Sequence, residues 1–274
     1  MSQTRLGRMR YFAGKKLTAT LHGLRPDAIA GRLSGPKVLI NSIPKAGTHL
    51  VESALDHFPL LRNAALPTLR GWERVPVATM RALRRLKPGQ YRTAHLPAHS
   101  EVLEAVAAYD IRVIFVVRDP RDIVLSNYKY ATYIDLTHPT HGYLSSLPDD
   151  ATRLLKTIIG EPGLLTPISD ILDRFKGWLN CSQAMVVRFE DLVGNKGGGS
   201  DKRQRQAIHR MAGHIGINLT SIELARIIAN IFQSGSLTFR SGQIGKWKSA
   251  FSDVHVTTFK ETAGHRPALY GYGE

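Results

Sequence analysis

With 274 residues, 43% of them hydrophobic, the chain suits one large domain or two small ones. Its 37 Lys and Arg against 22 Asp and Glu leave a formal charge of +15, which points to an anionic partner such as nucleic acid, a membrane surface, a nucleotide or an acidic polymer. A single cysteine, Cys181, excludes an intrachain disulfide and a cysteine-rich zinc site, and no apolar run approaches the ~20 residues of a membrane span.

Residues 1–35 read as a basic arm or helix: Arg5, Arg8, Arg10, Lys15, Lys16 and Arg25 precede the first acid, Asp27. The arm is a solvated segment or, through residues 1–26, a peripheral membrane contact; no signal-peptide pattern is present. Gly35-Pro36 then bounds a buried strand over 37–43, and a helix from Thr48 puts Leu50, Val51, Ala54, Leu55 and Phe58 on one face. Residues 62–90 read as basic and irregular, broken by Pro67, Pro76 and Pro88. Ser100 is expected to cap a short helix ahead of the most strand-like run, Arg112 to Arg118, whose unbroken β-branched character suits a central parallel strand. Asp119 to Asp122 turns the chain into a further helix.

The segment 131–166 has little periodicity before ATRLLKTIIG and is expected to form a functional cover. Pro167 opens a helix with Ile168, Ile171, Leu172, Phe175 and Leu179 as its apolar stripe, and the strand AMVVRF follows. Gly197 to Gly199 reads as a flexible connector. Ile208, Met211, Ala212 and Ile215 mark the next helix. Thr220 and Glu223 have capping-box spacing, opening another helix with Ala225, Ile228, Ala229 and Phe232 on one face. From Ser234 onward no periodicity is evident. Strands alternating with helices, without internal repeat, predict a single α/β domain over 36–274: a doubly wound parallel sheet flanked by helices.

In such sheets, ligands bind beyond the carboxyl ends of the strands. The first strand runs into Pro44-Lys45-Ala46-Gly47-Thr48, where a helix begins. Free backbone N–H groups, the helix dipole, a close backbone approach at Gly47 and the Lys45 charge all suit an anion. The central strand ends at Arg118, with Ser126 about two turns into the next helix; both groups can hold a phosphate. Asp119, Arg121 and Asp122 suit a structural network of their own, with Arg118 turned to the ligand. The triphosphate loop GxxxxGK[ST] is absent, so Asp119 only imitates a magnesium-holding aspartate, and no metal site is expected. His95, in TAHLP, is the best candidate for a general base, with Glu52 a distant second.

Three of these segments together resemble the PAPS-dependent sulfotransferases, which transfer a sulfuryl group from 3′-phosphoadenosine 5′-phosphosulfate. PKAGT (44–48) is similar to that family's 5′-phosphosulfate loop, Arg118 to Tyr128 to its RxPxDxxxSxY 3′-phosphate signature, and Arg240 to Lys248 to its late RKGxxGxWK segment. TAHLP resembles the segment carrying the catalytic His of the cytosolic members. The resemblance implies a P-loop-like sulfotransferase fold, PAPS as co-substrate and PAP as product without a metal. It implies that Lys45 bridges to the leaving phosphate, that Ala46, Gly47, Thr48 and His49 donate hydrogen bonds, and that His95 is the base. Arg118, Ser126, Arg240, Ser241 and Gly242 would clamp the 3′-phosphate, while Phe189 and Phe232 would lie by the adenine. His49 and Leu50 replace a frequent Thr-Trp, Ser241 replaces a Lys, and Ala94 stands where a Lys precedes the base.

The acceptor is then a hydroxyl or amine on a small molecule, lipid or saccharide, with no nucleic-acid partner, in a cytoplasmic protein with peripheral membrane contact as an option. Two rival readings are a P-loop nucleotide kinase with Asp119 on magnesium, and a non-enzymatic basic protein that binds polyanions.

Overall fold

Val38, Leu39 and Ile40 lie fully buried at the centre of a six-stranded sheet, one chain neighbour facing each way. The computed structural model describes residues 24–232 and 242–273, together with Gly14, Leu17 and Thr20. The arm cations Arg5, Arg8, Arg10, Lys15 and Lys16 therefore lie outside the described residues. Helix α1 (Pro26–Ser34) precedes β1 (Lys37–Ser42), and α2 (Thr48–Leu55) follows it. Arg25 donates to the carbonyls of Asp56, Phe58 and Leu61, which fastens the start of α1 to the chain beyond α2.

The strands β2 (Arg62–Asn63), β3 (Leu69–Arg70), β4 (Gln90–His95), β5 (Ile111–Val117) and β6 (Ala184–Arg188) complete the sheet. Its order is β2–β4–β1–β5–β6, with β3 continuing along the outer edge of β4, and every pairing is parallel. Strand β1 thus has β4 on one side and β5 on the other, so the chain winds outward in both directions from it. The period of two sorts the side chains between the sheet's faces. Leu39, Val113, Phe115 and Val117 join one apolar cluster with Trp178, Phe175 and Leu83. Val38, Ile40, Ile114 and Val116 join another with Val51, Leu55, Ile208 and Met211. Cover on both faces is why VIFVV carries no polar alternation.

Several sequence expectations give way. Residues 62–90 are not irregular: they hold β2, β3 and helix α3 (Val77–Arg84), which packs Leu83 into the core. Two-residue strands leave no periodicity to read, and α3 buries too narrow a stripe. Helix α4 (Ser100–Ala108) starts at Ser100 itself, with His99 at the cap position and no side-chain cap. The helix after Asp119, α5 (Pro120–Tyr133), begins at its proline, with Asp119 accepting from the Arg121 N–H as a true cap. The segment 131–166 is largely helical, with α6 (His141–Ser146) and α7 (Asp150–Ile159) burying Leu144, Leu154 and Ile158.

Pro167 caps α8 (Ile168–Phe175), as its position suggested. Phe189 leaves the strand and opens a single turn, α9 (Phe189–Leu192). Gly197 to Gly199 is a packed crossing, since a Cβ at Gly197 would lie 2.5 Å from the Gly242 carbonyl oxygen. Helix α10 (Asp201–His214) buries Ile208, Met211 and Ala212 as expected. The capping box of α11 (Ser221–Asn230) forms in both directions, but the helix turns Leu224 and Ile227 inward and leaves Ala225 and Ala229 exposed. Beyond the undescribed 233–241, the tail contains α12 (Trp247–Ala250), α13 (Asp253–Ala263) and α14 (Arg266–Leu269).

Candidate functional site

Strand register alone gathers the site. Asn41 is level with Ala94 of β4, Ser42 with Val116 of β5, and Val117 with Arg188 of β6. The residues that follow those positions, His95, the 43–47 turn, Arg118 and Phe189, therefore leave four neighbouring strands at one carboxyl edge, ~4.8 Å apart per strand.

The turn is an anion cradle in its backbone. Lys45 has φ +73° and Gly47 φ +105°, both left-handed, and the Ala46 N–H closes the turn on the Ile43 carbonyl at 3.0 Å. Gly47 is the N-cap of α2, which has no side-chain cap and no acid in its first turn. The helix start thus keeps its N–H groups and positive dipole end for a ligand. Phe189 seals the turn from behind: a Cβ at Gly47 would meet its ring at 2.5 Å. The Lys45 ammonium sits 3.6 Å from the centroid of the Tyr130 ring, a cation–π contact from α5.

Thr48, nearly buried, shares a 2.6 Å hydrogen bond with the Ser42 hydroxyl. His95 Nδ1 lies 3.1 Å from both the Ser42 carbonyl oxygen and the Ser42 Oγ. A carbonyl only accepts, so Nδ1 carries the proton and Nε2 keeps its lone pair. Desolvation lowers the His95 pKa to about 4, a shift opposed by the Ser42 carbonyl and reinforced by the nearby basic side chains of Arg70, His49 and Lys45. The imidazole is therefore neutral around pH 7, the form a base requires. A hydrogen-bonded path, His95–Ser42–Thr48, joins it to the first residue of α2.

His49 faces a different partner. Its Nδ1 is 3.1 Å from Glu52 Oε2, and the other carboxylate oxygen accepts from Asn63 at 2.9 Å. Glu52 is buried and held in this network, which gives His49 a fixed orientation at the helix start.

Arg118 is only 12% exposed along its side chain. It stacks on Phe189 at 4.3 Å, donates from Nη2 to the Gln243 carbonyl at 3.0 Å, and approaches Asp122 at 3.5 Å. Its Nε is buried with no acceptor among the described residues, a donor left over at the edge where an anion would sit. Of the expected network the Arg121–Asp119 pair forms, while Asp122 faces Arg118 and the late backbone instead. Arg121 forks onto Asp119, whose Oδ2 also accepts from the Trp247 indole at 3.1 Å, so Asp119 has no open face for magnesium. Asp122 accepts the backbone N–H groups of Gly245 and Trp247, at 2.8 and 3.0 Å.

Gly242 returns at φ +52° beside Gly197, whereas Arg240 and Ser241 lie outside the described residues. Ser126 is half-buried seven residues along from Asp119, and Phe232 is half-buried against the core cluster that holds Val187 and Phe189. One participant escaped sequence reasoning. Tyr130 read as one more residue of a helical run; a ring gains such a role only from what folds against it.

A protein-family model described as the sulfotransferase domain matches residues 35–271. The chain belongs to that family. Transfer of a sulfuryl group is thereby its reaction class. No curated protein sequence matches it significantly. Among solved structures, it is similar to a mouse sulfotransferase, SULT7A1, complexed with PAP, at 16% identity over 90% of this chain and 92% of that one, with a TM-score of 0.60. It is also similar to retinol dehydratase with androsterone and inactive cofactor PAP, at 12% identity over 94% and 85% of the two chains and a TM-score of 0.54. Retinol dehydratase with retinol and PAP aligns at 15% identity over 88% and 84%, with a TM-score of 0.53. At such identities the likeness is one of fold, a mainly parallel sheet between helical layers. This sulfotransferase domain has no helix, among the described residues, long and apolar enough to cross a membrane.

Proposed function

We propose that the protein moves the sulfuryl group of PAPS onto a hydroxyl or amine of a small-molecule, lipid or saccharide acceptor, within one catalytic domain over residues 36–274. The observation that carries this reading is the shared strand edge, where a neutral imidazole, an uncapped helix start with Lys45, and the half-satisfied Arg118 stand side by side. Such donors fit a nucleotide bearing phosphates at both ends. The PAP in all three structures supports the same donor, and androsterone and retinol in the two retinol dehydratase structures support a small-molecule acceptor.

PAPS, when bound, supplies a sulfuryl group on a phosphate leaving group. Lys45 and the backbone N–H groups of Gly47 to His49 neutralise the charge that develops on that phosphate, while the Ala46 N–H stays on the Ile43 carbonyl and shapes the turn. Arg118, Ser126, Arg240, Ser241 and Gly242 hold the 3′-phosphate, and Phe189 and Phe232 border the base. His95 Nε2 accepts the acceptor's proton as its oxygen or nitrogen bonds to sulfur, and the electron pair of the broken S–O bond leaves with the 5′-phosphate. The neutral state and fixed tautomer of His95 suit that task. Lys45 leaves its place over Tyr130 only if the anion outbids a cation–π contact worth about 0.5–2 kcal/mol, well below a direct ion pair in a partly buried site.

The deciding experiment is sulfuryl transfer from PAPS across phenols, lipids and saccharides, with Lys45→Ala beside the parent protein. The variant should remain folded and lose about 10²–10³ in rate. Full activity would remove Lys45 from the chemistry. The rival kinase reading loses its metal ligand, since both Asp119 oxygens are taken. A cytoplasmic location, with membrane contact through residues 1–26, belongs to the proposal and rests on the charge of that arm.

A further inference from the structure

Between Asp56 and Glu101 the sequence carries eight basic residues (Arg62, Arg70, Arg74, Arg81, Arg84, Arg85, Lys87 and Arg92) against one acid, Glu73. Glu73 is itself paired with Arg174 at 3.1 Å. Part of this excess converges on an open pocket of about 320 Å³ at the outer edge of the sheet, on the flank of β4 away from β1. Arg81, Arg85 and Arg92 line it, with Ala64, Leu66, Ala78, Ala82, Leu86 and Gln90 between them and no carboxylate.

Three observations suit an anion in this pocket. Arg92 is 8% exposed; its Nη2 donates to the Pro67 carbonyl at 2.8 Å, while its Nε is buried with no acceptor among the described residues. A buried charged donor without a partner is costly, and an acceptor reaching it from the pocket would remove that cost. Arg81 and Arg85 stand one helical turn apart on the same side of α3, where like charges repel. Neither has an ion-pair partner among the described residues. The apolar share of the lining gives the anion a body: Leu66 in the lining is 54% exposed, and Val77, next along the chain to the lining residue Ala78, is 73% exposed. Arginine heads amid exposed aliphatic side chains suit a phosphate at a lipid–water boundary better than a freely soluble ion.

We propose that this face, built from α3, residues 64–66 and Arg92, docks on an anionic phospholipid surface and takes a lipid phosphate into the pocket. The surface is separate from the strand edge described above, and it shares no residue with the arm at 1–26. It does not depend on the sulfuryl-transfer reading.

The test is sedimentation of the full chain with vesicles of phosphatidylcholine alone or mixed with phosphatidylserine. Binding is expected only to the mixed vesicles. Arg81→Glu with Arg85→Glu, both exposed positions, should weaken it about tenfold or more, since each basic residue at such a surface contributes about 1 kcal/mol. Leu66→Ser with Val77→Ser should also weaken it, without altering charge. Reversal of two exposed cations elsewhere, Lys202→Glu with Arg205→Glu on α10, should leave it intact. Equal loss in the α10 variant would overturn the proposal in favour of bulk charge. Displacement of the protein from vesicles by inorganic phosphate, at matched ionic strength, would overturn it in favour of a soluble-anion site. Unchanged binding in the α3 variant would end it outright.

Discussion

A methyl group at position 47 has nowhere to go, because the backbone is left-handed at φ +105° and the Phe189 ring lies 2.5 Å from where Cβ would stand. Gly47→Ala is therefore expected to cost about 1–3 kcal/mol in chemical denaturation, and to weaken PAP binding measured by calorimetry. At His95 the argument concerns protons. Its folded pKa, about 4, lies below the usual 6.5, so between those values the unfolded chain binds more protons than the folded one. Stability from this group is fully present above pH ~6.5 and is lost as pH falls toward 4. His95→Asn should remove that part of the acid dependence in thermal melts from pH 7 to 4. The same variant should retain PAP binding yet turn over about 10²–10⁴ more slowly. Unchanged turnover would move the base elsewhere.

Among the elements, α5 does more than follow β5. Its first turn anchors the late segment, with Asp122 receiving Gly245 and Trp247 and Asp119 receiving the Trp247 indole, while Arg121 stacks on that indole at 4.0 Å. Its last turn supplies Tyr130 to Lys45. One helix thereby couples Arg118, the returning glycine-rich segment and Lys45. Asp122 is 1% exposed, so Asp122→Ala leaves two backbone N–H groups and the nearby Arg118 without their carboxylate. A loss of about 3–5 kcal/mol in stability is expected, since an uncompensated buried charge is what such a truncation creates. Nucleotide affinity should fall with it. Asp122→Asn, which retains an acceptor, separates the two effects: its stability should recover more than its affinity. The motif RxPxDxxxSxY was legible as a string, and the role of its Asp as an anchor for residues 125 positions away was not.

Over the whole molecule, the net charge of +15 raises the local concentration of an anionic donor. The apparent second-order rate for PAPS should fall as ionic strength rises, while the rate at saturation changes less; equal sensitivity of both would argue against steering. The sequence by itself determined the sheet class, the strand–turn–helix at 37–55 and the motif residues Lys45, Gly47 and Arg118. Those signals are local, since a buried β-branched run, a turn that needs glycine and an amphipathic helix are set by near neighbours. It was silent on β2 and β3, which are too short to have a period, and misjudged the buried face of α11, where alternative apolar stripes compete within ten residues. Only the tertiary structure decided which strands lie beside β1, and hence that His95, the loop and Arg118 share an edge. The tautomer of His95, the commitment of Glu52 to His49 and Asn63, and the pocket at Arg92 were decided in the same way. Each depends on groups far apart in the chain, whose mutual distance is fixed by sheet register and packing and leaves no mark in local composition.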